Sequence, residues 1–380
     1  MLTYCVRCVM PDTKPDLPFD EEGVCGACRN FERRDEVDWT QRRSQLESIL
    51  GRFRSDTHWD CIVPVSGGKD STFQVLKVLE LGMNPLCVTA TTCHLSDVGR
   101  RNLENLERLG VDHVTFTPDP NVRARLNRLG LTEVGDISWP EHAGIFTIPV
   151  QAAISYDVPL IIWGENSQHE YGGPAAAAEN DELDRSWLEE FGGLLGLRVE
   201  DLISTYGFTP REIRPYRYPS DEELRRVGVT GLFLGYFVPW DGQANAVISQ
   251  ANGFETFPTT VEGSLVDYEN LDNHQTGIHD YFKFLKFGFG RATDIACLHI
   301  RRGRLARDDA FRLVTRLDGR FPWTYLGKPL EDILAPIDMT VDEFVTVCDR
   351  FTNRRIFEFQ DGTPVKDHTG RPVLKQSPVA

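Results

Sequence analysis

At 380 residues and a formal charge of −16, from 41 Lys and Arg against 57 Asp and Glu, the chain has room for a large α/β domain with additions, and its acidity argues against a broad nucleic-acid footprint. Hydrophobic residues make up 41%, no run of about 18 apolar residues is present to span a bilayer, and the opening MLTYCVRCVMPD has no basic-then-apolar leader, so a cytoplasmic setting is expected. Nine cysteines are too sparse for a disulfide scaffold.

Residues 1–31 form a Pro-, Asp- and Gly-rich module too short to bury a core unaided. Cys5-x-x-Cys8 and Cys25-x-x-Cys28, sixteen residues apart, have the spacing of a four-thiolate zinc site, structural because no coordination position stays open. A redox dithiol and an iron–sulfur cluster are the competing readings. Residues 32–58 are charged, with Trp39, Leu46, Ile49, Leu50 and Phe53 at the spacing of an amphipathic connector helix.

From residue 59 to about 175 strands and helices alternate. DCIVPVS reads as a strand, DSTFQVLKVLELG as a helix, PLCVTATT as a strand, VGRRNLENLERLG as a helix, DHVTFTP as a strand, IFTIPVQAAISYDV as a helix and PLIIWGEN as a fourth strand. That rhythm predicts an α/β fold with a doubly wound parallel sheet, its ligands beyond the carboxyl ends of the strands. The alternation then stops. GGPAAAAENDELDRSWLEEF reads as a helix, residues 176–360 as a mainly helical acceptor-substrate region, and residues 361–380 as a polar tail, mobile or laid on the surface.

Between the first strand and helix stands Ser66-Gly67-Gly68-Lys69-Asp70-Ser71. A Walker loop needs four residues between its glycines; here they are adjacent, so that reading fails. Adjacent glycines let backbone N–H groups turn inward, the helix N-terminus favours an anion, and Ser66, Lys69 and Ser71 add side-chain donors. Asp70 either orients Lys69 or holds Mg²⁺. SGGKDS resembles the PP-loop of the ATP pyrophosphatase superfamily (adenine nucleotide α-hydrolase-like). That resemblance implies a loop gripping the pyrophosphate of ATP while a substrate oxygen attacks the α-phosphorus, with Lys69 and Asp70 as catalytic candidates and Mg²⁺ as cofactor. It also implies adenosine contacts through backbone groups at Val88, Thr89 and Ala90, the end of the second strand. The fourth strand ends in Gly164-Glu165-Asn166, which puts a carboxylate and an amide at the sheet's active edge as further cofactor-binding candidates. Glu165 is equally readable as a loop-satisfying acid.

Along most of the chain, YCVRCVMPDTKPDLPFDEEGVCGAC, SGGKDSTF, VGRRNLENLERLG and HDYFKFLKFGFGRATD together resemble the N-acetyl sugar amidotransferase family of bacterial surface-polysaccharide pathways. The resemblance implies that an acetamido oxygen on a nucleotide- or lipid-linked sugar is adenylated. Ammonia from a separate glutaminase polypeptide then displaces AMP to leave an acetamidino group. His279, Asp280, Lys283, Lys286, Arg291 and Asp294 are the candidate acceptor-binding residues, with a plain amphipathic helix as the alternative. Three rivals stand beside this reading: tRNA thiolation through Cys93, which follows the second strand, the same adenylation of a natural-product intermediate, and a non-catalytic nucleotide-binding module, disfavoured because Lys69, Asp70 and Ser71 are all present.

Overall fold

The computed structural model describes residues 2–165 and 196–375. Gly26–Glu32 (α1) holds Cys28 and has Cys25 as its N-cap, and Trp39–Leu50 (α2) follows, capped by Asp38, whose side chain accepts from Gln41 N at 2.9 Å. Leu46 and Leu50 are the buried face expected of the connector. Strands Cys61–Pro64 (β1), Pro85–Ala90 (β2), Asp112–Phe116 (β3), Leu160–Trp163 (β4) and Thr230–Phe233 (β5) form one sheet in the order β3-β2-β1-β4-β5, every pairing parallel. Helices Lys69–Glu80 (α3), Asp97–Arg108 (α4), Pro120–Leu129 (α5) and Trp139–Ser155 (α6) make the crossovers among the first four strands. The chain passes from the β3 edge to the far side of β1, so strand order reverses between β1 and β4, and the crevice there is where doubly wound sheets bind ligands.

Alternate side chains of the strands feed two cores, as a pleat of period two requires. Cys61, Val63, Leu160 and Ile162 join Leu46, Phe73 and Val75 on one face; Ile62, Leu86, Val88 and Ile161 join Ile148 and Val150 of α6 on the other. The expected α/β fold is therefore present, with three differences from the sequence reading. The sheet gains β5, beyond the 59–175 limit, because Thr230–Phe233 pairs with all of β4. Helix α6 starts six residues before IFTIPV, because Pro140 sits in its first turn, where a missing N–H costs nothing. Helix α5 is an addition to the expected elements; Asp119 caps it, accepting from Asn121 N at 2.8 Å. The helix expected over GGPAAAAENDELDRSWLEEF lies outside the described residues.

Beyond β5 come Gly242–Ala251 (α7), Thr276–Phe287 (α8), Arg291–Arg301 (α9), Arg307–Leu317 (α10) and Val341–Phe351 (α11). Phe282, Phe284, Phe344 and Phe357 centre a core of their own, which also takes in Val98 and Leu131 from the α/β part. The cysteine module packs on α9 and α10, against Ala292, Ala296, Cys297, Ala310 and Val314. Of the two forms expected of the polar tail, mobile or laid on the surface, the structure has the laid-down one, folded through residue 375. Phe359–Gln360 pairs with Thr363–Pro364, and Glu358 N and Val373 N donate 2.9 Å bonds to Val373 O and Val365 O, so the segment's polar backbone is satisfied internally.

Candidate active site

The glycine loop leaves β1 at the switch point and runs into α3. Gly67 adopts φ +80°, and a Cβ there would lie 3.0 Å from Leu103 N and 3.1 Å from Gly99 O, so left-handed backbone and close approach of α4 both demand glycine. Gly68 is extended and caps α3. Ser71 Oγ donates to Gly68 O (3.0 Å) and accepts from Ser66 N (3.4 Å), while Ser66 Oγ accepts from Gly68 N (3.3 Å). These bonds hold the turn shut on itself at the helix N-terminus.

Lys69 is 4% exposed, its ammonium ion-paired with Asp70 and, at 2.6 Å, with Glu269. The α7 helix closes over this pair: Asn245 Nδ2 donates to Asp70 Oδ1 (2.9 Å) and Ser249 Oγ to Lys69 O (2.7 Å). None of Glu269, Asn245 and Ser249 was legible from the sequence, because each is brought in from the far side of β5. One buried cation between two carboxylates suits a Mg²⁺-bound polyphosphate: the lysine and loop amides for phosphate oxygens, Asp70 and Glu269 for the metal.

Other expected nucleotide residues lie on the same edge. Thr89 is buried with its hydroxyl donating to Val65 O (2.8 Å), just before the loop, so its side chain is engaged in joining β2 to β1. Ala90 ends β2, and Gly164 and Glu165 follow β4, where Gly164 O accepts from Gly235 N (3.0 Å). Asn166 lies outside the described residues.

The six candidate acceptor residues divide. Asp280 holds Arg291 through two bonds of 3.1 and 3.2 Å, Lys283 pairs with Asp294, and Lys286 reaches Val134 O at 3.4 Å. His279 alone joins a second cluster: its Nδ1 meets Asp136 Oδ1 at 2.8 Å, and His142 Nδ1 meets Asp136 Oδ2 at 3.0 Å. Burial would raise Asp136, yet the two imidazoles outweigh it and hold the carboxyl well below the usual range. Burial likewise opposes the His142 charge, and Asp136 overrides it to raise the imidazole. Gly130 makes this corner possible, since a Cβ there would stand 2.5 Å from Asp136 O. A cavity of about 940 Å³ opens from His142 along α6, lined also by Tyr216, Arg198, Arg214 and Arg217.

Cys93 lies beside Arg123, whose Nε donates to its Sγ at 2.8 Å. Partial burial nevertheless pushes the thiol up, against the pull of Arg123, which is the wrong direction for a nucleophilic thiolate.

The four module cysteines are buried, their sulfurs mutually within 4.8 Å, with Cys5–Cys28 at 4.0 Å and Cys8–Cys25 at 3.7 Å. Tetrahedral zinc with Zn–S of about 2.3 Å requires sulfurs about 3.8 Å apart, so the set fits. Cys25 N donates to Cys5 Sγ (3.2 Å), Arg301 lies buried near the sulfurs, and Arg307 bonds the Cys5 and Cys8 carbonyls, offsetting the negative charge of a tetrathiolate site.

Residues 252–369 match the family described as LPS biosynthesis protein WbpG-like, C-terminal domain. Glu269 and His279 both fall inside that segment. Among solved structures the chain is similar to NMN synthetase from Francisella tularensis, at 18% identity and a TM-score of 0.28, covering 50% of this chain and 92% of that one. Superposition that low bears on neither fold nor activity, so the fold rests on strand order. No curated protein matches the chain. Among the described residues, no helix is long and apolar enough to cross a membrane.

Proposed function

We propose that the chain is an ATP-dependent amidotransferase of surface-polysaccharide synthesis, converting the acetamido group of a nucleotide- or lipid-linked sugar to an acetamidino group with release of AMP and pyrophosphate. The observation that carries this reading is the meeting, at the sheet's switch point, of the glycine loop's Lys69 and Asp70 with Glu269 from the WbpG-like segment. A nucleotide loop and a segment resembling a lipopolysaccharide-synthesis domain thereby share one ion-paired site.

Loop amides and Lys69 bind and orient the β- and γ-phosphates, leaving the α-phosphorus open to the amide oxygen, and stabilise the departing pyrophosphate. Asp70 and Glu269 would hold Mg²⁺, which would supply charge neutralisation for those phosphates. Adenylation turns a poor leaving oxygen into AMP, which ammonia from a separate glutaminase polypeptide then displaces. Arg198, Arg214 and Arg217 offer the cavity side of α6 cationic groups for a sugar-linked diphosphate. The four-cysteine module is structural, holding zinc against α9 and α10. The raised Cys93 thiol favours this reading over tRNA thiolation.

The test is incubation with ATP, ammonium and a panel of UDP-N-acetyl sugars. AMP and pyrophosphate should appear only with the correct sugar; ADP as the product would overturn the assignment.

A further inference from the structure

At the corner between α5 and α6 lies a buried polar cluster whose hydrogen bonding is incomplete. Asn127 on α5 is fully buried, and its Nδ2 donates to Ile137 O (2.6 Å), Glu141 Oε2 (2.8 Å) and, more weakly, Gln275 Oε1 (3.3 Å), which fixes the amide with Oδ1 as acceptor. Asn127 Oδ1, Glu141 Oε1 and Gln275 Nε2 are sealed from solvent and have no hydrogen-bond partner among the described residues. A buried polar atom left unpaired costs about 1–3 kcal/mol, so three in one cluster call for a small polar occupant. Two of the three are acceptors, one of them a carboxyl, and the third is an amide donor, which suits a compact molecule that donates more than once and offers one lone pair, as ammonia does once the carboxyl has taken a proton from ammonium.

The cluster belongs to the same sheet edge as the loop. Glu141 lies in the first turn of α6, and a Cβ on Gly144, one turn on, would stand 3.7 Å from the Ala90 side chain at the end of β2. Val88 O, in the same strand, accepts from Val65 N (2.9 Å), immediately before Ser66.

We propose that Glu141, Asn127 and Gln275 form the ammonia site of the second half-reaction, with Glu141 taking the proton from an arriving ammonium ion. The proposal rests on the amidotransferase reading. Ammonium gives one proton to Glu141, and the freed lone pair forms the new C–N bond to the adenylated carbon. The C–O bond breaks with its electron pair going to AMP, and a proton shifts from the incoming nitrogen to the imidate nitrogen, leaving an amidinium. Burial pushes the Glu141 carboxyl up to about 7, against the opposing pull of Arg123, so a proton is easily taken and returned near neutrality. The groups facing it are Arg123 and Asn127 on α5, His142 beside it, Cys93, and the Tyr216 hydroxyl. Asp136 is a positioning residue: it clamps His142 and His279 at the cluster's border.

The wild-type enzyme is assayed first for acceptor-dependent ATP–pyrophosphate exchange without ammonium; no exchange overturns the adenylation reading itself. Given exchange, kcat/KM for total ammonium should rise with pH and level off above about 7, where Glu141 is ionised. A continued climb of about tenfold per pH unit through neutrality would mean that only free ammonia from solution is used, and would overturn the proposal. In Glu141→Gln the turnover ratio of hydroxylamine, already neutral at pH 7, to ammonium should rise at least about tenfold. An unchanged ratio leaves the cluster as a structural water site. If that variant does not fold, the wild-type pH profile decides.

Discussion

Lys69 carries the site because a buried ammonium must be paired, and Asp70 and Glu269 pair it. Lys69→Ala should lower AMP and pyrophosphate release by at least about 100-fold, as loss of a principal charge-stabilising donor does, with an unchanged circular-dichroism spectrum. Glu269 is a different case. Bound triphosphate brings negative charge to a place already holding two carboxylates, so without Mg²⁺ Glu269→Gln should tighten binding of a non-hydrolysable ATP analogue about fivefold, read by calorimetry. Weaker binding would mean that Glu269 serves chiefly to hold Lys69 in place. Lys69 and Asp70 were legible because loop, strand and helix are contiguous in sequence; Glu269 was not, because nothing near it marks it as different from any other acid.

Among the elements, the turn from β1 into α3 and the corner between α5 and α6 set the geometry. Gly67→Ala must force a Cβ against the backbone of α4 at positive φ and should cost roughly 2 kcal/mol, read as a lower urea midpoint. Gly68→Ala meets only the Ser66 hydroxyl at 3.3 Å, so it should spare most of the stability. Asp136 ties the start of α6 to α8. Its carboxyl is held down in the fold, a contribution present above the unfolded carboxylate value and lost in acid; the His142 imidazole is raised, a contribution present below its unfolded value and lost as pH rises through its folded one. Asp136→Asn should therefore lower the melting temperature more at about pH 6 than at about pH 9. His279 was expected to bind acceptor with five neighbours on α8 and α9. Among those neighbours Asp280 pairs with Arg291 and Lys283 with Asp294, partnerships that helical spacing within a polar stretch does not disclose.

For the molecule as a whole, the N-terminal module is a brace on the C-terminal helices. Cys5 to Cys28 share one core with α9 and α10, and the same C-terminal region sends Glu269 to the glycine loop. Cys25→Ser, or stripping metal with a chelator, should lower the melting temperature by several degrees, since metal-binding energy in such a module is folding energy. Bound-metal analysis on the same samples separates zinc from iron. The sequence by itself determined what is encoded over short spans: the cysteine spacing, the strand–glycine–helix turn and the alternation that makes a parallel sheet, because backbone propensity, hydrophobic period and ligand spacing are local. Only the tertiary structure decided that β5 extends the sheet, that α7 and Glu269 close on Lys69, and that Asn127, Glu141 and Gln275 meet in one sealed cluster. Those pairings join residues from distant segments, and which buried polar group meets which is set by how helices pack, a choice that no single stretch of chain contains.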